Sequence, residues 1–149
     1  MARFNVSGSF ALTATIAKTI IRVMPPGTRA IMLRGFRIVD GLAAAADEGL
    51  LARVLTAGID GTGTAATPFP LNNAGACLST AKVNYTVEPT GSPVERYRTK
   101  VPGGGAIEKL FEGEEGIVIA HSSAVALELT SVSTKGSNVV SVELTFEEI

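Results

Sequence analysis

The chain of 149 residues has no tryptophan, two tyrosines, one histidine and one cysteine. Each scarcity excludes something. With Cys77 alone there is no internal disulfide and no thiolate metal cluster, and the chain suits synthesis in a reducing cytosol. With His121 alone, every Ser-His-Asp or Cys-His arrangement would have to contain it, and a histidine-based zinc site lacks the further nitrogen or thiolate ligands. His121 is followed by Ser122 and Ser123 in an expected turn, so it reads as a turn histidine. No apolar run is long enough to span a bilayer, and Met1-Ala2-Arg3-Phe4-Asn5 opens no signal-peptide apolar region. No membrane partner and no cleaved export signal are therefore expected.

Charge is also scarce. Charged residues make up 18% against a hydrophobic share of 46%, below the usual charged share of about 25%. Such a chain suits a surface partly hidden in an assembly, or a neutral Ala- and Gly-rich sandwich. Residues 1–37 hold Arg3, Lys18, Arg22, Arg29, Arg34 and Arg37 and no acid. Residues 108–149 hold Lys109 and Lys135 against eight glutamates, a net −6. Two readings stand: the ends steer one subunit onto another, or neighbouring strands pair these charges within the fold.

What is present is alternation. Val140, Val142, Leu144 and Phe146 interleave with Ser141, Glu143, Thr145 and Glu147, and Val125, Leu127 and Leu129 with Ala126, Glu128 and Thr130. Period-two patterning predicts half-buried strands with glutamates on wet faces. Thr134-Lys135-Gly136-Ser137-Asn138 reads as the turn of a hairpin joining them. Further strands are expected over 18–24, 30–39 with a bulge near Gly35, 50–57, 82–87, 94–101, 106–111 and 116–120. In 94–101, Glu95, Tyr97, Thr99 and Val101 share one face and Arg96, Arg98 and Lys100 the other. Ile59 to Asn73 reads as a long connection, and the Ala-rich stretch 42–48 as a loop with at most a turn or two of helix. The expectation is one all-β domain: an antiparallel, jelly-roll-like sandwich of about eight or nine strands over 16–149, preceded by an N-terminal strand or arm over 1–15.

No motif supplies chemistry. Gly58-Ile59-Asp60-Gly61-Thr62-Gly63-Thr64 lacks the lysine and following helix of a phosphate loop. Glu108, Glu112, Glu114 and Glu115 lack calcium-loop spacing and read as a solvated turn. The stripe Arg96, Arg98, Lys100 lacks interleaved aromatics for nucleic acid, so it is expected to meet acids across a subunit interface. No catalytic residue, cofactor or metal is expected. The candidate interface residues are Arg3, Phe4, Val6 and Phe10 in the basic N-terminal segment, as a lattice-facing or strand-donating part, with Arg96 and Arg98.

The succession of turns adds a resemblance. Pro25-Pro26-Gly27 precedes Arg34-Gly35-Phe36. Asp60-Gly61-Thr62-Gly63-Thr64, Thr67-Pro68-Phe69-Pro70-Leu71, Glu88-Pro89 and a final alternating strand ending Phe146-Glu147-Glu148 follow. From about Ile20 to the end, this resembles the β-sandwich decoration or cement proteins of tailed-bacteriophage heads. The resemblance implies a jelly-roll subunit, trimeric, on the outside of the virion, clamping neighbouring copies of the major capsid protein and carrying no catalytic residues. The segment before Ile16 and the loop 42–48 are unmatched. A tail, neck or baseplate sandwich of a phage is the alternative, and a carbohydrate-binding sandwich another, though only Tyr85 and Tyr97 could offer it a ring.

Overall fold

The computed structural model describes residues 1–11, 17–41, 50–73, 75–92, 94–121, 126–132 and 139–149. Among them run twelve strands: β1 (Ala2–Ala11), β2 (Ala17–Met24), β3 (Ile31–Asp40), β4 (Leu50–Ala57), β5 (Thr62–Ala66), β6 (Phe69–Pro70), β7 (Thr80–Val87), β8 (Val94–Val101), β9 (Ala106–Leu110), β10 (Ile117–Ile119), β11 (Ala126–Val132) and β12 (Val139–Glu148), with one 3₁₀ turn at Gly113–Glu115. No helix among the described residues is long and apolar enough to cross a membrane.

The strands form two antiparallel sheets. Sheet one runs β3-β12-β1-β6, with β9 and β10 both against the free side of β3; sheet two runs β5-β7-β2-β11-β4-β8. Set β5, β6 and β7 aside and take β9 with β10 as one interrupted strand. Eight strands remain, in the orders β1-β12-β3-β9/β10 and β2-β11-β4-β8. That is the two-Greek-key pattern of a jelly roll, as expected from the spacing of turns. The three remaining strands are an insertion between β4 and β8 that widens both sheets on one flank.

Alternation explains which side of each strand is dry. In β12, Val140, Val142, Leu144 and Phe146 are buried while Ser141 and Glu143 are exposed. They meet Ile31, Leu33, Phe36 and Ile38 of β3 and Phe4 and Val6 of β1 in one core with Ile21, Val23, Leu127 and Leu129 of sheet two. Phe4 and Phe146 sit opposite one another in the ladder, ring centroids 5.7 Å apart.

Several expectations are corrected. Strands β11 and β12 do not form a hairpin: β11 pairs β2 and β4 in sheet two, and β12 pairs β3 and β1 in sheet one. Alternation reveals a dry face but not a partner, and both strands have a dry face turned to the same core. The bulge expected near Gly35 is present in β3, at Arg34, between the pairs Leu33–Phe146 and Gly35–Thr145. The connection 59–73 contains β5 and β6, so the strands outnumber the eight or nine expected. The Ala-rich loop 42–48 and the turn 134–138 lie outside the described residues.

Candidate interaction surfaces

The oppositely charged ends meet inside the fold. The β1–β12 register sets Arg3 opposite Glu147, and Arg3 donates from Nε (3.1 Å) and Nη2 (2.7 Å) to Oε1. Arg34, swung out by its bulge, donates from Nε to Oε2 at 2.7 Å and from Nη1 to the Gly113 carbonyl at 2.8 Å. Burial would raise the Glu147 carboxyl, but the two guanidinium groups hold it below its ordinary value. Glu148, at the end of β12, is buried and accepts from the Leu78 amide (2.9 Å) and from the Ser79 amide and hydroxyl (both 2.7 Å). Cys77 Sγ lies 3.2 Å from the same oxygen, and Arg29 Nη1 is 3.7 Å from the other. Burial opposes ionisation of Glu148, yet these donors keep its carboxyl below the usual range. The same burial, with Glu148 alongside, pushes the Cys77 thiol up to about 12.

A second polar knot lies on the face of sheet two away from the core. Arg22 follows Ile20-Ile21 in β2, and its side chain turns to the opposite face from Ile21 and Val23, where Glu128 is its ladder partner. Two connections cover that face, 58–61 leaving β4 and 88–92 leaving β7, tied by the paired amides and carbonyls of Ile59 and Thr90 (2.8 and 3.0 Å). Asp60 is the clasp. Its Oδ1 accepts from Arg22 Nη1 (2.7 Å), Tyr85 Oη (2.8 Å) and the Gly61 amide (2.9 Å), and Oδ2 accepts from Lys82. Lys82 and Tyr85 would point to opposite faces of a regular strand, but Asn84 between them takes a left-handed conformation, φ 51°, that breaks the alternation. Only glycine fits at 61, where a Cβ would stand 2.0 Å from the Val87 carbonyl oxygen.

Burial would raise the Asp60 carboxyl, but Lys82, Tyr85 and Arg22 together bring it down to about 2. Burial and the Asp60 carboxylate push the Tyr85 phenol up. Glu128, 3% exposed, stands 3.1 Å from Arg22 Nε, an ion pair without hydrogen-bond alignment. Burial raises its carboxyl to about 7 against the opposing pull of Arg22. No sequence pattern marked this group. Its one signal was an arginine set inside the apolar run Ile20-Ile21-Arg22-Val23. With its donors turned onto Asp60, the knot fastens a strap over sheet two.

The residues singled out from sequence scatter. Phe4 and Val6 are buried in the core, 0% and 2% exposed, because β1 lies between β12 and β6. Their side chains are committed to the fold and are corrected as contact residues for a second protein. Phe10 lies in β1 opposite Val140. Arg3 is half exposed but already bound to Glu147. In β8, Tyr97 opposes Val54 and Glu95 opposes Leu55, so Arg96 is an extra residue in a bulge. The bulge takes Glu95 off the expected face, while Tyr97, Thr99 and Val101 keep theirs. Arg98 comes to the side of Glu95 and clasps it at 2.7 and 2.8 Å on one exposed strand. Tyr97 turns inward, edge-on to Phe36 (5.8 Å) and Phe111 (5.5 Å). Tyr85 is buried and Tyr97 half-buried, so neither ring stands fully open for a sugar to stack on. Glu128, expected on a wet face, is buried under the strap. Among the described residues no group of three His, Cys, Asp or Glu side chains could hold a metal ion. His121 is exposed.

Among the described residues three outward features stand out. The outer face of sheet one is a shallow trough of about 390 Å³ floored by Ser7, Gly8, Ser9 and Ser141 and bordered by Arg37 and Glu143. A hollow of about 340 Å³ lies beside Arg3, Arg34, Leu110 and Phe111. The inserted flank carries exposed Phe69 and Leu71 beside Met1.

No protein-family model matches this chain, and no curated protein does. Among solved structures, the D431N mutant VP2 protein of infectious bursal disease virus in T=1 particles aligns over 99% of this chain and 40% of that one, at 12% identity and a TM-score of 0.25. The VP2 subviral particle of the same virus aligns over 99% and 41%, at 14% identity and a TM-score of 0.24. The chain thus spans about two fifths of the length of those proteins. Scores of that size carry no argument about fold or role.

Proposed function

We propose that the chain is a structural virion protein that works by adhesion rather than catalysis, as an oligomer on the outside of a tailed-phage head with the major capsid protein as its partner. The observation that carries this reading is the division of the molecule. A jelly roll closes around an interior filled by Phe4, Phe146, Ile31, Leu33 and their neighbours. Its ionised groups at the two ends and under the strap are turned on one another. What it presents outward includes exposed apolar side chains such as Phe69, Leu71 and Leu78. The turn succession described above, which resembles head decoration proteins, directs the reading to the outer shell. A tail, neck or baseplate position uses the same surfaces. The resemblance implies a trimer; the inserted flank points instead to a pairwise contact, taken up below.

The experiment is thermal disruption of shells assembled from the major capsid protein of the same genome. Added protein is expected to co-sediment with the shells and raise the temperature at which they fall apart. Protein that stays in the supernatant and leaves that temperature unchanged refutes the head assignment.

A further inference from the structure

The 21 residues from 61 to 81 contain no charged side chain. They are β5, β6 and the entry to β7, the part added to the eight-strand framework. Three of their large apolar side chains face water: Phe69 is 69% exposed, Leu71 51% and Leu78 51%, with Met1 beside them at 82%. The ladder places three of these together. Phe69 opposes Asn5, the Leu71 amide donates to the Arg3 carbonyl at 2.9 Å, and the Asn72 side-chain amide donates to the Met1 carbonyl at 3.2 Å. By alternation, Phe69, Leu71 and Met1 share the outer face of sheet one at one corner. Two charges bordering that corner are already engaged: Arg3 with Glu147 and Arg29 with Glu148. An apolar centre inside a satisfied polar rim is the anatomy of a protein–protein contact.

The occupant follows from what the corner refuses. The Leu71 amide faces β1, so the amide of residue 70 would face the open edge. Pro70 has none, and strand addition there is blocked. A partner selected by charge finds no charge to pair with. A two-fold contact of the chain with itself has the opposite requirement: each residue near the axis meets its own copy, so any charge there faces its like. The charge-free run meets that condition. A head-to-tail ring would have to set this flank against another, and β8, with Glu95, Arg96, Arg98 and Lys100 exposed or half exposed, would lose hydration without gaining partners.

We propose that two copies of the chain associate about a two-fold axis through this corner, with Phe69 and Leu71 of each against the same pair of the other and Met1 and Leu78 at the margin. The contact does not rest on the shell reading, and either can fail alone.

The test is sedimentation velocity with light scattering on the full chain. Wild type is expected at twice the mass of one chain. Phe69→Glu and Phe69→Lys are each expected to weaken association roughly 30-fold or more, as for loss of a central contact residue. Their circular dichroism and melting should match wild type, since Phe69 is mostly in water. Mixing the two variants should restore pairs, because only a two-fold contact sets residue 69 against itself. Arg96→Glu, on the opposite flank, should leave pairing intact. A wild-type chain that stays monomeric at high concentration, a trimer, a Phe69→Glu chain that still pairs, or a mixture that stays monomeric each overturns the proposal.

Discussion

Replacing Glu128 by glutamine should make the protein more stable above neutral pH and leave it little changed in acid. Glu128 is buried beneath the strap at 3.1 Å from Arg22 Nε, and burial raises its carboxyl from 4.5 to about 7. That rise corresponds to about 3 kcal/mol in favour of the neutral acid in the folded chain. Below about pH 4.5 the folded and unfolded chains both hold the proton, and the group costs nothing. Between 4.5 and 7 the unfolded chain releases it while the folded chain keeps it, so stability from this group falls as pH rises; above 7 the loss is complete and constant. Glutamine imitates the neutral acid and keeps Arg22 its bond to Asp60. Asp60, Glu147 and Glu148 titrate in the opposite sense, because their folded carboxyls are depressed, so the wild-type curve alone mixes the two trends. The informative quantity is a difference of differences from urea unfolding at pH 4 and pH 8. The stability gained on substitution should be greater at pH 8 than at pH 4 by about 3 kcal/mol. A gain that is the same at both values, or larger at pH 4, refutes the burial argument.

Other consequences are equally direct. Deleting residues 1–11 removes a strand bonded on both sides, and circular dichroism should show an unfolded chain; Phe4→Ala alone should cost about 3–5 kcal/mol by urea unfolding. Asp60→Ala strips acceptors from Arg22, Lys82 and Tyr85 and should cost about 3 kcal/mol or more, with amide exchange at Ile59 and Thr90 rising most. Cys77 should react slowly with iodoacetamide at pH 8, since its thiol is held near 12, and Glu148→Gln should speed the reaction by removing the neighbouring charge.

The fold class was legible because alternation is a property of residues one strand at a time. Val140 to Phe146 declared a dry face, and the face is dry. Strand partnership was not legible, and β11 and β12 were read as a hairpin for that reason: patterning reports burial, while the sheet that buries a strand is chosen by the whole chain. Strands β5 and β6 escaped notice because Thr62–Ala66 and Phe69–Pro70 are small, glycine-bearing or proline-bearing and mostly exposed, so no alternation marks them. In β8 one bulged residue, Arg96, was enough to move Glu95 from the side of Tyr97 to the side of Arg98. The apolar residues of the N-terminal segment were legible as apolar; that they fill the core instead of reaching another protein depends on β12 and β6 flanking them. The polar knot under the strap left only one mark, Arg22 inside an apolar run, since Asp60 and Glu128 come from separate parts of the sequence and join it only in the fold.

The most direct test of an adhesive role is cryo-electron microscopy of capsid shells saturated with the purified protein. Jelly-roll density is expected at symmetry-related positions on the outer surface, its interior closed and its outward residues in contact with shell subunits. Bare shells, with the protein found only in solution or only on tail structures, would contradict that placement.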